Sequence, residues 1–276
     1  MSTDPIQFTR QGHVALLTLN RPDTRNALSG EEMFAAFEQL FAEMNADLSI
    51  RAAVLTGAGS AFCSGGNVAE MRDRTGMFGG SPAQIAANYR AGIQRIPRAF
   101  QTLQVPIIAA VNGAAIGAGN DLACMCDIRI AADTARFAES FVKVGIVPGD
   151  GGCWLLPRVV GWSKAAELAL TGDTIDAAEA LRIGLVSQVV PAGQLLEAAM
   201  ALGQRIAANP PQVLRWTKQL LQEGRDSTLD QALDSAGQFQ GMAHHTADHA
   251  EAVSAFFEKR APAFGKDGAS QPGAAL

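Results

Sequence analysis

The chain has 276 residues, of which 48% are hydrophobic, and a formal net charge of −5. This length fits one large domain or two small ones, with enough apolar side chains for a core. No basic run is present, so we do not expect nucleic acid to bind through a charged patch. No apolar run reaches the length of a membrane span and residues 1–10 lack a signal-peptide pattern, so we expect a cytoplasmic protein that does not bind membranes.

Few residues in the sequence could form disulfides or bind a metal ion. The cysteines are expected to be buried small hydrophobes in a reducing compartment: Cys63, Cys124, Cys126 and Cys153. The clustered histidines have no acidic third ligand nearby in the sequence: His244, His245 and His249. We therefore expect neither a disulfide framework nor a metal site.

The first half of the chain alternates predicted strands with predicted helices. Strands are predicted at 13–20, 51–56, 105–111 and 128–132. One helix is predicted from a capping box at Ser29 to about Asp47, and a long one from Pro82 to about Leu103. Residues 73–81, charged and glycine-rich, are predicted to be mobile.

The second half is mostly helical. Asp176 is predicted to cap a helix that ends at Gly184, and a short strand follows at 186–190. Further helices are predicted from about residues 194, 211 and 229, and a last one over 250–260. The pattern predicts an α/β fold with a helical C-terminal segment: a core over 1–200, helices over 201–265 and a disordered tail over 266–276.

The most informative stretch is residues 112–122, where an apolar strand leads through a glycine-rich turn into a helix that carries Asp121. Glycines allow close backbone approach, and a helix N-terminus presents free N–H groups and partial positive charge. These features suit a negatively charged oxygen, with Asp121 placed to move a proton near it. A second glycine-rich turn, at residues 57–59, follows another predicted strand and leads into Gly65 and Gly66. Each turn can supply one N–H donor to a single oxygen.

The ordered set of motifs resembles the crotonase superfamily (enoyl-CoA hydratase/isomerase) over about residues 5–265. The stretches that carry the resemblance are 21–28, 61–67, 112–122, 145–152, 170–173, 177–180, 184–186 and 256–262. The resemblance implies a spiral of ββα turns, with a helical part that builds homotrimers or dimers of trimers. It also implies an acyl-CoA substrate, with coenzyme A as part of that substrate and no separate cofactor.

The resemblance implies an oxyanion hole at the N–H groups of Gly66 and Ala118, and a catalytic carboxylate at Asp121. Family hydratases carry a second glutamate where this chain has Phe141, which lines the substrate site but cannot transfer a proton. Asp150 resembles an aspartate of the family's dienoyl-CoA isomerases, and we expect apolar neighbours such as Phe141 and Trp154 to raise its pKa. Glu139 is a less favoured candidate, because it lies in a predicted strand, two positions from Phe141.

The resemblance also implies a coenzyme A site, formed largely by backbone groups. The adenine would lie near Asn26, Ala27 and Leu28 and near residues 61–63, which include Ala61 and Cys63. The pantetheine would pass Gly65. Lys259, Arg260 and Arg25 are candidate phosphate contacts, the first two from the same or a neighbouring subunit.

Isomerisation of an enoyl-CoA double bond is the favoured reaction, with Asp150 and Asp121 as acid and base. Hydration of a 2-enoyl-CoA is the next alternative, because the family includes both reactions. Hydrolysis or C–C cleavage of an acyl-CoA, or non-catalytic binding of acyl-CoA, remain open. Met77 and Phe78 suggest an apolar acyl group.

Overall fold

The computed structural model describes residues 4–265 as two β-sheets surrounded by helices. The strands in chain order are β1 (Ile6–Gln11), β2 (Val14–Leu19), β3 (Ala52–Gly57), β4 (Ala61–Cys63), β5 (Ile107–Val111), β6 (Ala114–Ile116), β7 (Ile128–Ala132), β8 (Arg136–Ala138), β9 (Thr174–Asp176) and β10 (Gln188–Val190). The α-helices are α1 (Glu31–Ala46), α2 (Val68–Asp73), α3 (Pro82–Ala91), α4 (Arg95–Thr102), α5 (Ala118–Met125), α6 (Gly152–Val160), α7 (Trp162–Thr171), α8 (Ala177–Arg182), α9 (Leu195–Ala207), α10 (Pro211–Glu223), α11 (Leu229–His244) and α12 (Ala247–Glu258).

From β3 to β8, successive strands alternate between the two sheets. The larger sheet has the order β1-β2-β3-β5-β7-β10, and the smaller has the order β4-β6-β8-β9. All neighbours pair in parallel except β1 with β2 and β8 with β9. Each of the strand pairs β3–β4, β5–β6 and β7–β8 therefore gives one strand to each sheet before the chain enters a helix or helical turn. This arrangement confirms the predicted α/β spiral of ββα turns.

The larger sheet is covered on both faces, as parallel sheets usually are. Every residue of β5 is buried. One face packs with α1, α4 and α5 in the main core, and the other packs against α9. In residues 4–265 no helix is both long and apolar enough to span a bilayer.

The predicted helix from Pro82 to Leu103 is wrong, because it is two helices separated at Gly92. Pro97 lies in the first turn of α4, where its missing N–H costs nothing. In a continuous helix its ring would clash with the carbonyl of Ile93. A β-carbon on Gly92 would come within 2.8 Å of Asn88 O and 3.3 Å of the Phe34 ring, so glycine also allows close packing at the break.

Two smaller predictions are also wrong. Helix α1 has Gly30 at its N-cap and no side-chain cap, so Ser29 lies one residue before the cap. The Ser29 N–H donates to the Ala27 carbonyl and is not left for the glutamate of a capping box. The turn at residues 112–117 contains the extra strand β6, which pairs with β4 and β8. The predicted cap at Asp176 is confirmed, since its side chain accepts from the Glu179 N–H at 2.8 Å. The predicted tail lies outside the described residues, and the division at residue 200 stays a prediction.

The Asn26 side chain holds the loop after β2 against the turn between β3 and β4. Asn26 is fully buried and has φ 59°. Its Oδ1 accepts from the Arg21 N–H at 3.0 Å. Its Nδ2 donates to three carbonyl oxygens, those of Ala58 at 2.9 Å, Ala61 at 2.9 Å and Phe62 at 3.2 Å. The Asn26 amide therefore fixes the turn between β3 and β4, which leads into the glycine-rich loop at Gly65 and Gly66.

Replacing Asn26 by alanine is expected to lower the free energy of unfolding by about 2–4 kcal/mol, because buried carbonyl groups lose their donor. Urea unfolding measures this loss. Asn209→Ala is the matched control, since that exposed amide also donates to two carbonyls and its loss should cost little. Equal stability of the two variants would contradict this role for Asn26.

Candidate active site

The loop after β4 is in backbone contact with the start of α5. A β-carbon placed on Gly65 would lie 2.5 Å from Ile116 O and 3.1 Å from Ala118 N, and one on Gly119 would collide with the Cys63 carbonyl. No side chain fits at either glycine without movement of the backbone. The two glycine-rich turns identified in the sequence therefore meet.

The N–H groups of Gly66 and Ala118 adjoin this contact. Among residues 4–265, neither donates a hydrogen bond to a backbone carbonyl. Ala118 is the first residue of α5, where the helix dipole adds partial positive charge. Two free donors beside one another can stabilise an oxygen that becomes negative during a reaction. Their role as an oxyanion hole stays a prediction.

Residues 25–28 run alongside the loop after β4. The Leu28 N–H donates to Gly65 O at 2.8 Å, and the Ser64 N–H donates to Arg25 O at 2.9 Å. The structure thus brings together most of the residues predicted to bind coenzyme A, and all of the following are buried: Asn26, Ala27, Leu28, Ala61 and Cys63. Because their side chains face the interior, a ligand here would contact mainly backbone groups.

Among the described residues, no hydrogen bond or ion pair joins Lys259 to residues 25–28 or to the loop after β4. It is the left-handed C-cap of α12, at φ 55°. The segment after it is anchored where Arg51 donates to Phe264 O at 2.9 Å. Arg51 precedes β3, whereas residues 58–65 follow the other end of that strand. Contact of Lys259 with a ligand would therefore fit a neighbouring subunit better than its own, and it stays a prediction.

Three acidic side chains, those of Asp121, Glu139 and Asp150, meet in the interior, each no more than 2% exposed. Asp121 lies in the first turn of α5, Glu139 directly follows β8, and Asp150 shortly precedes α6. A β-carbon on Gly152 would overlap Glu139 Oε1 and lie 2.5 and 2.6 Å from the Asp121 carboxyl oxygens. Asp121 is also within hydrogen-bonding reach of Asp150. Asp121 therefore contacts both other acids.

This carboxyl cluster has no cationic partner among the described residues, since none of their ion pairs includes Asp121, Glu139 or Asp150. Its one amide donor is Asn120, whose Nδ2 donates to Glu139 Oε2 at 3.0 Å. Within residues 4–265, Glu139 Oε1 and both carboxyl oxygens of Asp121 and Asp150 have no hydrogen-bond donor from outside the cluster. Unpaired buried carboxylates are costly, so protons must be shared within the cluster.

Burial raises the pKa of Asp150 to about 6 and the pKa of Glu139 to about 7. The pKa of Asp121 is raised well above its usual value, first by burial and then by the neighbouring charges of Asp150 and Glu139. Near neutral pH the expected state is therefore a protonated Asp121 beside an ionised Asp150. Such a pair offers one acid and one base in contact.

Sequence reasoning underrated Glu139, which is buried beside Asp121. Glu139 was disfavoured as a strand residue, yet the chain leaves β8 at Ala138 and turns this side chain inward. Trp154, which was expected to neighbour Asp150, is 37% exposed. The Arg158 guanidinium carbon lies 4.0 Å from the centroid of its ring. Phe141 is half-buried, with its ring 3.7 Å from the β-carbon position of Gly117.

An apolar wall faces the same loops. A β-carbon on Gly66 would lie 2.8 Å from Met71 Cε and 3.8 Å from Phe78 Cζ. The Phe78 and Tyr89 rings pack edge to face with centroids 6.2 Å apart, and Tyr89 lies directly against Gly149. Tyr89, the chain's one tyrosine, was missed because no sequence motif marks it. These contacts agree with the expectation that Phe78 borders an apolar acyl site.

One cysteine prediction is wrong, because Cys153 in α6 is exposed, whereas Cys63, Cys124 and Cys126 are buried. Burial raises the pKa of both Cys63 and Cys124 to about 12, so these thiols are unreactive. In the described part of the chain, no group of three or more histidine, cysteine or acidic side chains could hold a metal ion.

Comparison with known proteins gives a consistent result. The sequence profile of one family, Enoyl-CoA hydratase/isomerase, matches residues 9–267. A probable enoyl-CoA hydratase of Mycobacterium bovis is 38% identical over 96% of this chain and 99% of its own. The 1,2-epoxyphenylacetyl-CoA isomerase of Escherichia coli is 38% identical over 91% of this chain and 94% of its own. The crystal structure of an enoyl-CoA hydratase from Bacillus anthracis superposes with a TM-score of 0.87 at 34% identity, covering 94% of this chain and 98% of that one.

The carboxyl cluster is expected to lower stability as the pH rises. A raised folded-state pKa means that the folded protein keeps protons that the unfolded chain releases, so stability falls from about pH 4 to about pH 7. Asp150→Asn removes one such group and should raise the unfolding free energy at pH 8 by about 1–3 kcal/mol. Thermal unfolding between pH 5 and 8 tests this, with the exposed Asp173→Asn as control. The same pH dependence in Asp150→Asn as in the wild type would contradict it.

Proposed function

The chain belongs to the enoyl-CoA hydratase/isomerase family, and we propose that within this family it isomerises the double bond of an enoyl-CoA. The observation that carries the proposal is the contact between Asp121 and Asp150, two buried carboxyl groups of different proton affinity. An acid and a base in contact suit a proton that leaves one carbon and returns to another. Phe141, in place of the glutamate of family hydratases, supports the same reading.

In the proposed reaction the thioester oxygen accepts from the Gly66 and Ala118 N–H groups. Asp150 removes a proton from C2, and the C2–H electron pair forms the C2=C3 bond of the product as negative charge passes through the enolate oxygen. Asp121 donates its proton to C4, where the former C3=C4 electron pair forms the new C4–H bond. Two preorganised N–H donors stabilise the enolate, each by a few kcal/mol.

The cycle closes without any other reactant. After transfer Asp150 carries the proton and Asp121 is ionised, the reverse of the starting state. Because the two carboxyl groups are within hydrogen-bonding reach, the proton can pass directly from Asp150 to Asp121. This return restores the resting state without a water molecule, consistent with the burial of both residues.

Hydration of a 2-enoyl-CoA is the second candidate. It is favoured by the relatives, most of which are named hydratases, such as the short-chain-enoyl-CoA hydratase of Clostridium acetobutylicum. In that reaction Asp150 would take a proton from water and Asp121 would protonate C2. The reaction requires an ordered water molecule beside two buried carboxyl groups. Phe141 offers no hydrogen bond to hold such a water.

We further propose that coenzyme A binds along residues 25–28 and 61–65 as part of the substrate, with no separate cofactor. The chain would assemble as a homotrimer or a dimer of trimers. Large apolar side chains exposed on α11 and α12 support assembly: Leu229, Leu233, Val253, Phe256 and Phe257. The position of Lys259 supports a phosphate contact from the next subunit.

Purified protein mixed with a 3-enoyl-CoA is expected to produce the absorbance of a conjugated enoyl thioester. Asp150→Asn and Asp121→Asn should each lower kcat by about 10²–10⁴-fold, because each removes one proton-transfer group. Asp173→Asn is the matched control, since this exposed aspartate forms only a surface ion pair with Lys143 at 3.4 Å.

A 2-enoyl-CoA in the same assay distinguishes the alternatives. Loss of its absorbance, without activity on the 3-enoyl substrate, would show a hydratase and overturn the isomerase proposal. Binding of acyl-CoA with no turnover of either substrate, unchanged by both aspartate substitutions, would favour a binding protein.

A further inference from the structure

Glu139 is the one member of the carboxyl cluster to which the proposed reaction gives no role. A buried acid that serves only packing would be expected to have both oxygens satisfied. Glu139 has one satisfied oxygen, Oε2, which accepts from Asn120 Nδ2 at 3.0 Å. The other, Oε1, has no donor outside the cluster and lies on the Gly152 side, next to the Asp121 carboxyl.

Asp121 is correspondingly unusual for an acid in the first turn of a helix. Such a residue commonly caps backbone N–H groups, but neither Asp121 carboxyl oxygen accepts from any backbone donor in the described structure. The Asp121 carboxyl group instead lies within hydrogen-bonding reach of two other acids, Glu139 and Asp150. When Asp121 is protonated, its single O–H can therefore be donated to only one of two acceptors.

We propose that Glu139 is a positioning residue that holds the proton of Asp121 until it is transferred to substrate. The Asn120 amide fixes Glu139 Oε2, so that Oε1 accepts the hydrogen bond of the protonated Asp121 carboxyl. The negative charge of Glu139 then keeps Asp121 an acid. This inference rests on the proposed role of Asp121 as the proton donor.

The surroundings of Glu139 separate its titration from that of the nearby thiols. The titratable groups that face it are Asp121, Asp150 and the thiols of Cys124 and Cys153. Burial raises the pKa of Cys124 to about 12, and burial and the two carboxylates raise the pKa of Cys153. Both thiols therefore stay protonated while Glu139 titrates. The Gly152 and Cys153 N–H groups at the start of α6 have no backbone acceptor, so the helix dipole favours a negative charge here.

Glu139→Gln keeps the size of the side chain and removes its charge. Asp121 then loses a neighbouring negative charge, so its pKa falls and it gives up its proton at lower pH. The alkaline limb of the kcat/KM profile is expected to move down by about 1–2 pH units. Glu139→Asp, which keeps a carboxyl group, should restore most of the wild-type limb. A residue that only shapes the site would lower kcat across the pH range and leave the limb in place.

Infrared spectroscopy of the ligand-free protein gives a readout that needs no substrate. Titration of the carbonyl-stretch band of protonated carboxyl groups should show the Asp121 proton leaving at lower pH in Glu139→Gln than in the wild type. Asp121→Asn should abolish that component and identify it. If the Asp121 component does not shift in Glu139→Gln, the proposal is overturned, even if the preferred reaction proves to be hydration. A shifted component with no turnover would count against the proposed function alone.

If Glu139→Gln fails to fold, Asn120→Ala tests the same contact from the other side. Loss of the amide donor raises the pKa of Glu139, so the infrared component assigned to Glu139 by comparison with Glu139→Asp should titrate at higher pH. No change in that component in Asn120→Ala would overturn the proposed arrangement.

Discussion

The burial of three carboxyl groups without a cation is the constraint on which the rest of the site depends. Asp121, Glu139 and Asp150 are buried together, and within the described residues none of them has a basic partner, so their charge is controlled by shared protons. One amide from Asn120 and the positive end of α6 offset part of the cost. The unequal proton affinities that make an acid and a base of two aspartates are a consequence of this burial.

The fold provides that burial through the alternation of strands between two sheets. After β4, β6 and β8, the strands that the chain enters from the larger sheet, it continues into segments that carry site residues, and glycines there allow backbone segments to touch. Asn26 fixes the turn before β4, and the Gly65–Ala118 contact joins the loop after β4 to the start of α5. Donor N–H groups, acids and the apolar wall of Phe78 and Tyr89 therefore come from segments that are distant in sequence.

Much of this arrangement could be predicted from the sequence. The alternating strands, the paired glycine turns and the positions of Asp121 and Asp150 follow from apolar periodicity and from motif order. The extra strand β6 escaped prediction because its three residues pair with strands far along the chain, which no local pattern reports. The break at Gly92 was missed although Pro97 carries the signal, since the helical pattern on either side masked it. Glu139 and Tyr89 were undervalued because their importance comes only from tertiary neighbours.

The absence of a cation near the three acids, within the part of the chain that the structure describes, also bears on inhibitors. A compound that places a negative charge at the Gly66 and Ala118 N–H groups adds that charge beside the three buried carboxyl groups, whose own negative charge repels it. Binding of such an anion is then coupled to proton uptake by the protein, and its affinity weakens as the pH rises through the pKa values of about 6 and 7 of Asp150 and Glu139. A neutral ligand of the same shape would show no such coupling, so the difference between the two would report the electrostatic cost that the proposed enolate would meet.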